Sequence, residues 1–332
     1  MTAFNSEFET LTDPFRRELL AHCYRMLGSI QDAEDLVQET YLRAWRSFEQ
    51  FEGRSSLRVW LYKIATMACL NALESRSRRP LPSFLGPASH DPHQGLSANE
   101  PEVPWLQPAP DALIAPTSSD PSFMVESRAS VRLAFIAALQ NLSARQRAVL
   151  ILRDVLEMRA IEVADILDTS AIAVNSALRR ARVQMKLSDS TESEVLEPVE
   201  SQLRELLDRY VDAFERADVG ALVQLLRVDV EMEMPPTPTW FTGREAVIGF
   251  LSSNVLIRPA AWRGFPTRAN GQAAVVGYGK WSDDQYHAHG VHVLTFVGDR
   301  ISRITAFNDA DLIPHFRMAS ILSMNGHPLE RR

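Results

Sequence analysis

Asn175, Ser176, Arg179, Arg180 and Arg182 stand in the run Ser170-Ala-Ile-Ala-Val-Asn-Ser-Ala-Leu-Arg-Arg-Ala-Arg-Val-Gln-Met-Lys186, where amide, hydroxyl and guanidinium groups recur at helical spacing. Such side chains read base edges and phosphates: Asn pairs with adenine, Arg with guanine or phosphate. Their alternation with Ile172, Val174, Leu178, Ala181 and Met185 predicts a helix with an apolar face turned to a core and a cationic face left open. Ahead of it, Ile161-Glu-Val-Ala-Asp-Ile-Leu-Asp168 reads as a short amphipathic helix, followed by a turn around Thr169 and Ser170. Two short helices so joined form a helix-turn-helix, whose second member enters the major groove of duplex DNA. A solvated basic helix is the competing reading of this motif alone, because the turn lacks glycine.

The net charge of −7 opposes DNA binding only until it is divided by segment. Residues 126 to 186 hold ten Lys and Arg against six Asp and Glu, and residues 10 to 82 eleven against nine. Residues 83 to 125 hold none against five, and residues 187 to 332 fourteen against twenty. Positive charge is concentrated where phosphate would be met. With 332 residues, 45% apolar and 23% charged, the chain has enough material for two or three domains with ordinary cores. No apolar run reaches membrane-spanning length, and the first residues lack a basic segment followed by an apolar one, so a soluble cytoplasmic protein without membrane insertion is expected. Cys23 and Cys69 lie in apolar helical patterns and are expected as buried thiols. No metal or cofactor is expected.

The elements that must position these residues follow from periodicity and breakers. Helices are predicted at Phe15 to Leu27, Ile30 to Phe48 and Leu57 to Arg78, with Asp32 capping the second and Ser55 or Ser56 the third. Residues 80 to 125 carry ten prolines and sustain neither helix nor central strand, so an extended linker is expected, in which Trp105 and Leu106 invite docking. Helical periodicity returns from Glu126 to Leu187, with Ser143 placed to cap a helix from Ala144 to Val155. Residues 188 to 199 read as a polar hinge. Beyond them, helices followed by alternating segments, with Gly298-Asp299 between the last two, predict an α+β domain closed by a hairpin.

Three stretches in this order carry a resemblance: Asp32-Ala-Glu-Asp-Leu-Val-Gln-Glu-Thr-Tyr-Leu-Arg-Ala-Trp45, Leu57-Arg-Val-Trp-Leu-Tyr-Lys-Ile-Ala-Thr-Met-Ala-Cys-Leu-Asn71, and Leu142-Ser-Ala-Arg-Gln-Arg-Ala-Val-Leu150 with the helix-turn-helix after it. They resemble sigma factors of the extracytoplasmic-function group, promoter-recognition subunits of bacterial RNA polymerase. The resemblance implies an all-α sigma region 2 at residues 10–82 and a helix-turn-helix sigma region 4 at 126–187, joined by a Pro-rich acidic linker at 83–125. It further implies that Asp35, Gln38 and Glu39 meet the basic clamp helices of core RNA polymerase. Lys63, Asn71, Arg76, Arg78 and Arg79 would then serve the −10 promoter element, with Trp60 in the core. Arg147, Arg159, Ala173, Asn175, Ser176, Arg179, Arg180 and Arg182 would serve the −35 promoter DNA, with Arg145 on phosphate. The linker has the character of a tether threading toward the polymerase active centre, and an anti-sigma partner is not readable from the chain.

The last segment, residues 200–325, resembles the SnoaL-like polyketide cyclase and ketosteroid isomerase superfamily, a cone-shaped α+β fold with an internal pocket. The features are an opening helix pair, Phe241-Thr-Gly-Arg-Glu-Ala-Val-Ile-Gly-Phe250 as a middle helix, and final strands ending at Asn308-Asp309. Trp240, Tyr286, His287 and His289 are the candidate lining of a pocket for a small-molecule ligand, with Asp229 and Asp309 as further acids. Without a recognisable catalytic dyad, a regulatory domain is expected and no catalytic residue is assigned. The competing function is a DNA-binding regulator fused to a SnoaL-like cyclase or isomerase.

Overall fold

The structure is a computed structural model that describes residues 8–53, 55–74, 78–97, 103–115, 128–188, 198–281 and 285–323. It divides into two compact units, each built from separated stretches: Met1–Arg79 with Leu113–Thr191, and Pro80–Ala112 with Glu192–Arg332.

The first unit is helical. α1 (Arg16–Leu27) stops at Gly28, whose left-handed φ of 70° lets its N–H return to the Tyr24 carbonyl. α2 (Ile30–Ser47) is capped by Ser29, whose Oγ accepts from the Asp32 N–H at 3.1 Å, so Ser29 and not Asp32 is the cap. Asp32 sits one turn in, where it accepts from Arg79 at 2.6 Å. Ser56 accepts from Val59 at the start of α3 (Leu57–Glu74). Leu19, Tyr24, Met26, Ile30, Val37, Leu61, Tyr62 and Ala65 form the buried interior of these three helices. The second half adds α4 (Leu133–Leu139), α5 (Ala144–Leu150) running on as a π-turn over Ile151–Val155, α6 (Ala160–Ile166) and α7 (Ala171–Ser188). Ser143 caps α5 in a reciprocal box with Gln146.

In the second unit α8 (Glu200–Arg216), α9 (Val219–Leu225) and α10 (Arg244–Asn254) accompany a seven-stranded sheet. Its strands are β1 (Leu226–Met234), β2 (Thr237–Thr242), β3 (Trp262–Ala269), β4 (Gln272–Gly279), β5 (Tyr286–Val297), β6 (Arg300–Phe307) and β7 (Ile321–Leu322). The order is β2-β1-β6-β5-β4-β3, with β7 on β5; β1 runs parallel to β6 and the other pairs are antiparallel. Tyr210, Phe214, Val230, Phe241, Phe250, Phe296 and Ile304 belong to one core beneath the helices.

The proline-rich stretch, expected as an extended tether, instead folds onto this sheet as a strap. Proline removes donors and fixes φ, which bars it from a central strand but leaves it fit for sheet edges. At the β2 edge, the Ser89 N–H donates to the Trp240 carbonyl at 2.8 Å and the Thr242 N–H to the Ser89 carbonyl at 3.3 Å. At the β3 edge, the Asn270 N–H donates to the Ala109 carbonyl at 2.9 Å, and the Ala109 N–H to Asn270 Oδ1 at 2.9 Å. Leu81, Leu106 and Ala109 are buried, as the docking reading of Leu106 anticipated. Pro92 lies so close to α10 that a Cβ on Gly249 would come within 2.5 Å of it. Glu233, 0% exposed, ties the strap down by accepting from the Ser83 N–H at 3.1 Å while pairing with Arg303 at 3.1 Å.

Candidate nucleic-acid interface

α6 and α7 meet through a turn in which Asp168 takes the left-handed conformation, φ 46°, that glycine usually supplies; Asp is one of the few side chains that enters this region readily. The Thr169 N–H closes back on the Ala164 carbonyl at 2.9 Å, and Ser170 Oγ accepts from the Ala173 N–H at 3.2 Å to start α7. Val174, Leu178 and Ala181 are buried, while Ala173, Asn175, Arg179, Arg180 and Arg182 are exposed and Ser176 is half-buried. The cationic face is therefore present. One expectation fails: Ile172, placed in the core stripe by periodicity, is 80% exposed, and Met185 is only partly covered. Arg153, Asn175, Leu178, Arg179, Arg182, Val183 and Lys186 line a surface depression of about 450 Å³ along this face. Arg182 is held there by both carboxylate oxygens of Asp154, at 2.7 and 2.9 Å.

Arg159 and Arg145 lie exposed near the helix-turn-helix, Arg159 paired with Glu162 at 3.1 Å. Arg147 is a correction. It is 4% exposed and donates to the Met26 carbonyl, to Gln140 Oε1 at 2.9 Å and to the carbonyls of Gln140 and Leu142 at 3.3 Å. In this conformation it joins α5 to the end of α1 and offers nothing to phosphate. Arg25 does the same from α1, donating to the Ser130 carbonyl at 3.1 Å and its hydroxyl at 2.9 Å. Neither has a carboxylate among these partners, and burial pulls both guanidinium groups down to about 10.

On α2, Asp35 and Gln38 are exposed and Glu39 is half-buried and paired with Arg43. Leu42 and Trp45 extend the line of Asp35 and Gln38 at helical spacing, both exposed, giving an acidic patch with an apolar continuation. On α3, Asn71 is exposed. Lys63 instead donates to the Asp165 carbonyl at 2.7 Å and pairs with Asp168 at 3.2 Å, both in the helix-turn-helix. Arg78 donates to Asn141 at 2.9 Å and Arg79 to Asp32. Arg76 lies outside the described residues. Trp60 is half-buried against Phe48 and Phe51, at 6.4 and 4.9 Å between ring centres. Cys23 and Cys69 are both buried, and their mutual hydrogen bond, then burial, raises the Cys69 thiol well above its usual range.

The four residues proposed as a pocket lining are not brought together. Trp240 donates its indole N–H to the Gly86 carbonyl of the strap. Tyr286 donates to the Ala260 carbonyl and stacks under Arg263, on the face of β5 opposite His287 and His289. Asp229 pairs with Arg227, and Asp309 caps the turn that follows β6. His287 and His289 do share a face, against Trp281, with His289 also 4.9 Å from Trp262 and hydrogen-bonded to Asn308. Sequence reasoning missed the group this pair adjoins. Tyr210 of α8 shares a 2.9 Å hydrogen bond with His292 Nδ1, and burial, then His289, lowers His292 to about 4. Its odd spacing from His289 hid it: β5 carries one extra residue opposite Gly277 and Tyr278, which shifts the alternation.

Among the described residues no helix is long and apolar enough to cross a membrane. Residues 11–79 match Sigma-70 region 2, residues 132–185 match Sigma-70, region 4, and residues 207–304 match the SnoaL-like domain. The chain is 48% identical over 318 residues to the ECF RNA polymerase sigma factor SigG of Mycobacterium tuberculosis (strain ATCC 25618 / H37Rv), an alignment covering 95% of this chain and 85% of that one. It is 29% identical over 225 residues to the ECF RNA polymerase sigma factor SigJ of the same organism, 68% of this chain and 62% of the relative. A crystal structure of the Mycobacterium tuberculosis extracytoplasmic function sigma factor SigJ agrees in fold, with a TM-score of 0.57 over 93% of this chain and 98% of that one at 22% identity. With 48% identity over 95% of its length and matches to both Sigma-70 regions, the chain belongs to the ECF RNA polymerase sigma factors, with a SnoaL-like domain in its C-terminal part.

Proposed function

We propose that this chain acts in the cytoplasm as an alternative sigma factor that joins core RNA polymerase, engages the −35 and −10 promoter elements and starts transcription, without covalent chemistry of its own. The observation that carries the reading is α7: a helix buried along Val174, Leu178 and Ala181 that presents Asn175, Arg179, Arg180 and Arg182 outward behind a short α6. Asn175, Ser176, Arg179, Arg180 and Arg182, with Ala173 and Arg159 beside them, would meet the −35 duplex. Asp35, Gln38 and Glu39, with Leu42 and Trp45, form a patch suited to a basic helical partner through charge complementarity. Lys63, Asn71, Arg76, Arg78 and Arg79 would serve the −10 element. Lys63 and Arg78 are committed to Asp165, Asp168 and Asn141 here, so engagement of DNA requires the two helical regions to separate. To the C-terminal domain, whose compact unit takes in Pro80–Ala112 of the segment linking those regions in sequence, this reading assigns the control of that separation.

Run-off transcription by core polymerase with the full chain, over a promoter library, tests this. Selective initiation is expected, and Arg179→Ala with Arg180→Ala should weaken −35 binding while polymerase association persists. Absence of any selected promoter would remove the reading.

A further inference from the structure

Ile172 is 80% exposed on a helix whose opposite face is core. At 100° per residue it lines up with exposed Arg179 and half-buried Ser176 on the side of the helix opposite Val174, Leu178 and Ala181. The three residues span about 10 Å of helix rise, or about three base-pair steps. Arg179 lies on that line, Arg180 to one side and Arg182, held by Asp154, to the other, all three exposed, so the surface around Ile172 suits a polyanion. An apolar side chain at the N-terminal end of a recognition helix has one apolar partner in the major groove, the 5-methyl group of thymine.

We propose that Ile172 is a specificity-determining residue that packs its side chain against the 5-methyl group of a thymine in the upstream promoter duplex, beside the polar contacts of Ser176 and Arg179. This rests on the reading of α7 as the −35-recognition helix. Arginine and asparagine discriminate bases by hydrogen bonds, which uracil and thymine offer equally in the groove. An aliphatic side chain discriminates by the methyl alone. Ile172 therefore adds a selection that the polar residues cannot make.

The test uses the full chain with core polymerase and a duplex selected from the promoter library, with each thymine of the upstream element replaced singly by deoxyuridine. At one position the native protein is expected to bind the uracil duplex about fourfold more weakly, the equivalent of one buried methyl group. Ile172→Ala is expected to bind the thymine and uracil duplexes equally there, while its response at the other positions stays that of the native protein. Native and Ile172→Ala proteins that respond alike at every thymine overturn the proposal. So does an Ile172→Ala protein that loses polymerase association but keeps its response to uracil, which would make Ile172 a protein contact. If no duplex is selected at all, the −35 reading of α7 itself has failed, and the proposal falls with it.

Discussion

Arg147 of α5 donates to the backbone carbonyl of Met26, the penultimate residue of α1, and so closes the two helical regions of the first unit on each other. Its other acceptors, Gln140 and Leu142, hold the guanidinium in a fixed fork. A buried cation with neutral partners is costly to desolvate, yet removing it strands three carbonyls and an amide oxygen. Arg147→Ala is expected to lower the stability of the helical unit by about 2 kcal/mol or more. Arg147→Lys, with one point donor for four acceptors, should recover only part. Urea denaturation of the three proteins checks the order; an Ala variant as stable as the native chain contradicts it.

Lys63 and Asp168 also join the regions, but Asp168 is largely exposed and such pairs contribute little. Asp168→Asn keeps a residue that tolerates the left-handed backbone, and should leave stability within about 0.5 kcal/mol. If Lys63 serves the −10 element, Lys63→Ala reduces permanganate-detected promoter melting and Asp168→Asn does not. Equal effects of the two substitutions would assign Lys63 to the pair alone.

What the sequence made legible was local. The helix-turn-helix, the Ser143 cap and the closing hairpin of β5 and β6 rest on neighbours a few residues apart. Ile172 was misplaced because the apolar period at the start of α7 continues into a face that nothing covers. The prolines of residues 80–112 announced the absence of helix, but their partners, Trp240 and Asn270, lie some 150 residues away, beyond any periodicity. Arg147 carries the same charge whether it faces phosphate or the Met26 carbonyl, and only packing distinguishes the two.

Glu233 is fully buried between Arg303 and the strap. Glu233→Ala leaves Arg303 paired with Glu231 but deprives the Ser83 N–H of its acceptor. The C-terminal unit should lose about 2–3 kcal/mol, with the strap detaching first. Limited proteolysis should then cut within residues 80–112 faster than in the native chain; an unchanged cleavage pattern would show that Glu233 does not hold the segment.

His292 gives this domain a defined acid sensitivity. Its folded value of about 4 lies below the usual 6.5, so the unfolded chain takes a proton first. Stability is full above about pH 6.5 and is lost as pH falls toward 4, to a limit of about 3 kcal/mol. His22, lowered to about 3 by burial, acts in the same direction in the other unit. Hydrogen exchange of β5 peptides separates the two: it should quicken between pH 7 and 5 after correction for intrinsic rates, and His292→Gln should flatten that change.

Pro80–Ala112 is made long before the strand edges it lines, those of β2 and of β3, the second of which ends at Ala269. On the ribosome the chain can therefore complete its helical unit, through Ser188, while the strap still has no surface to lie on. For that interval of synthesis the nascent polypeptide carries both helical regions joined by a loose connector, and the fastening of that connector awaits the making of the sheet.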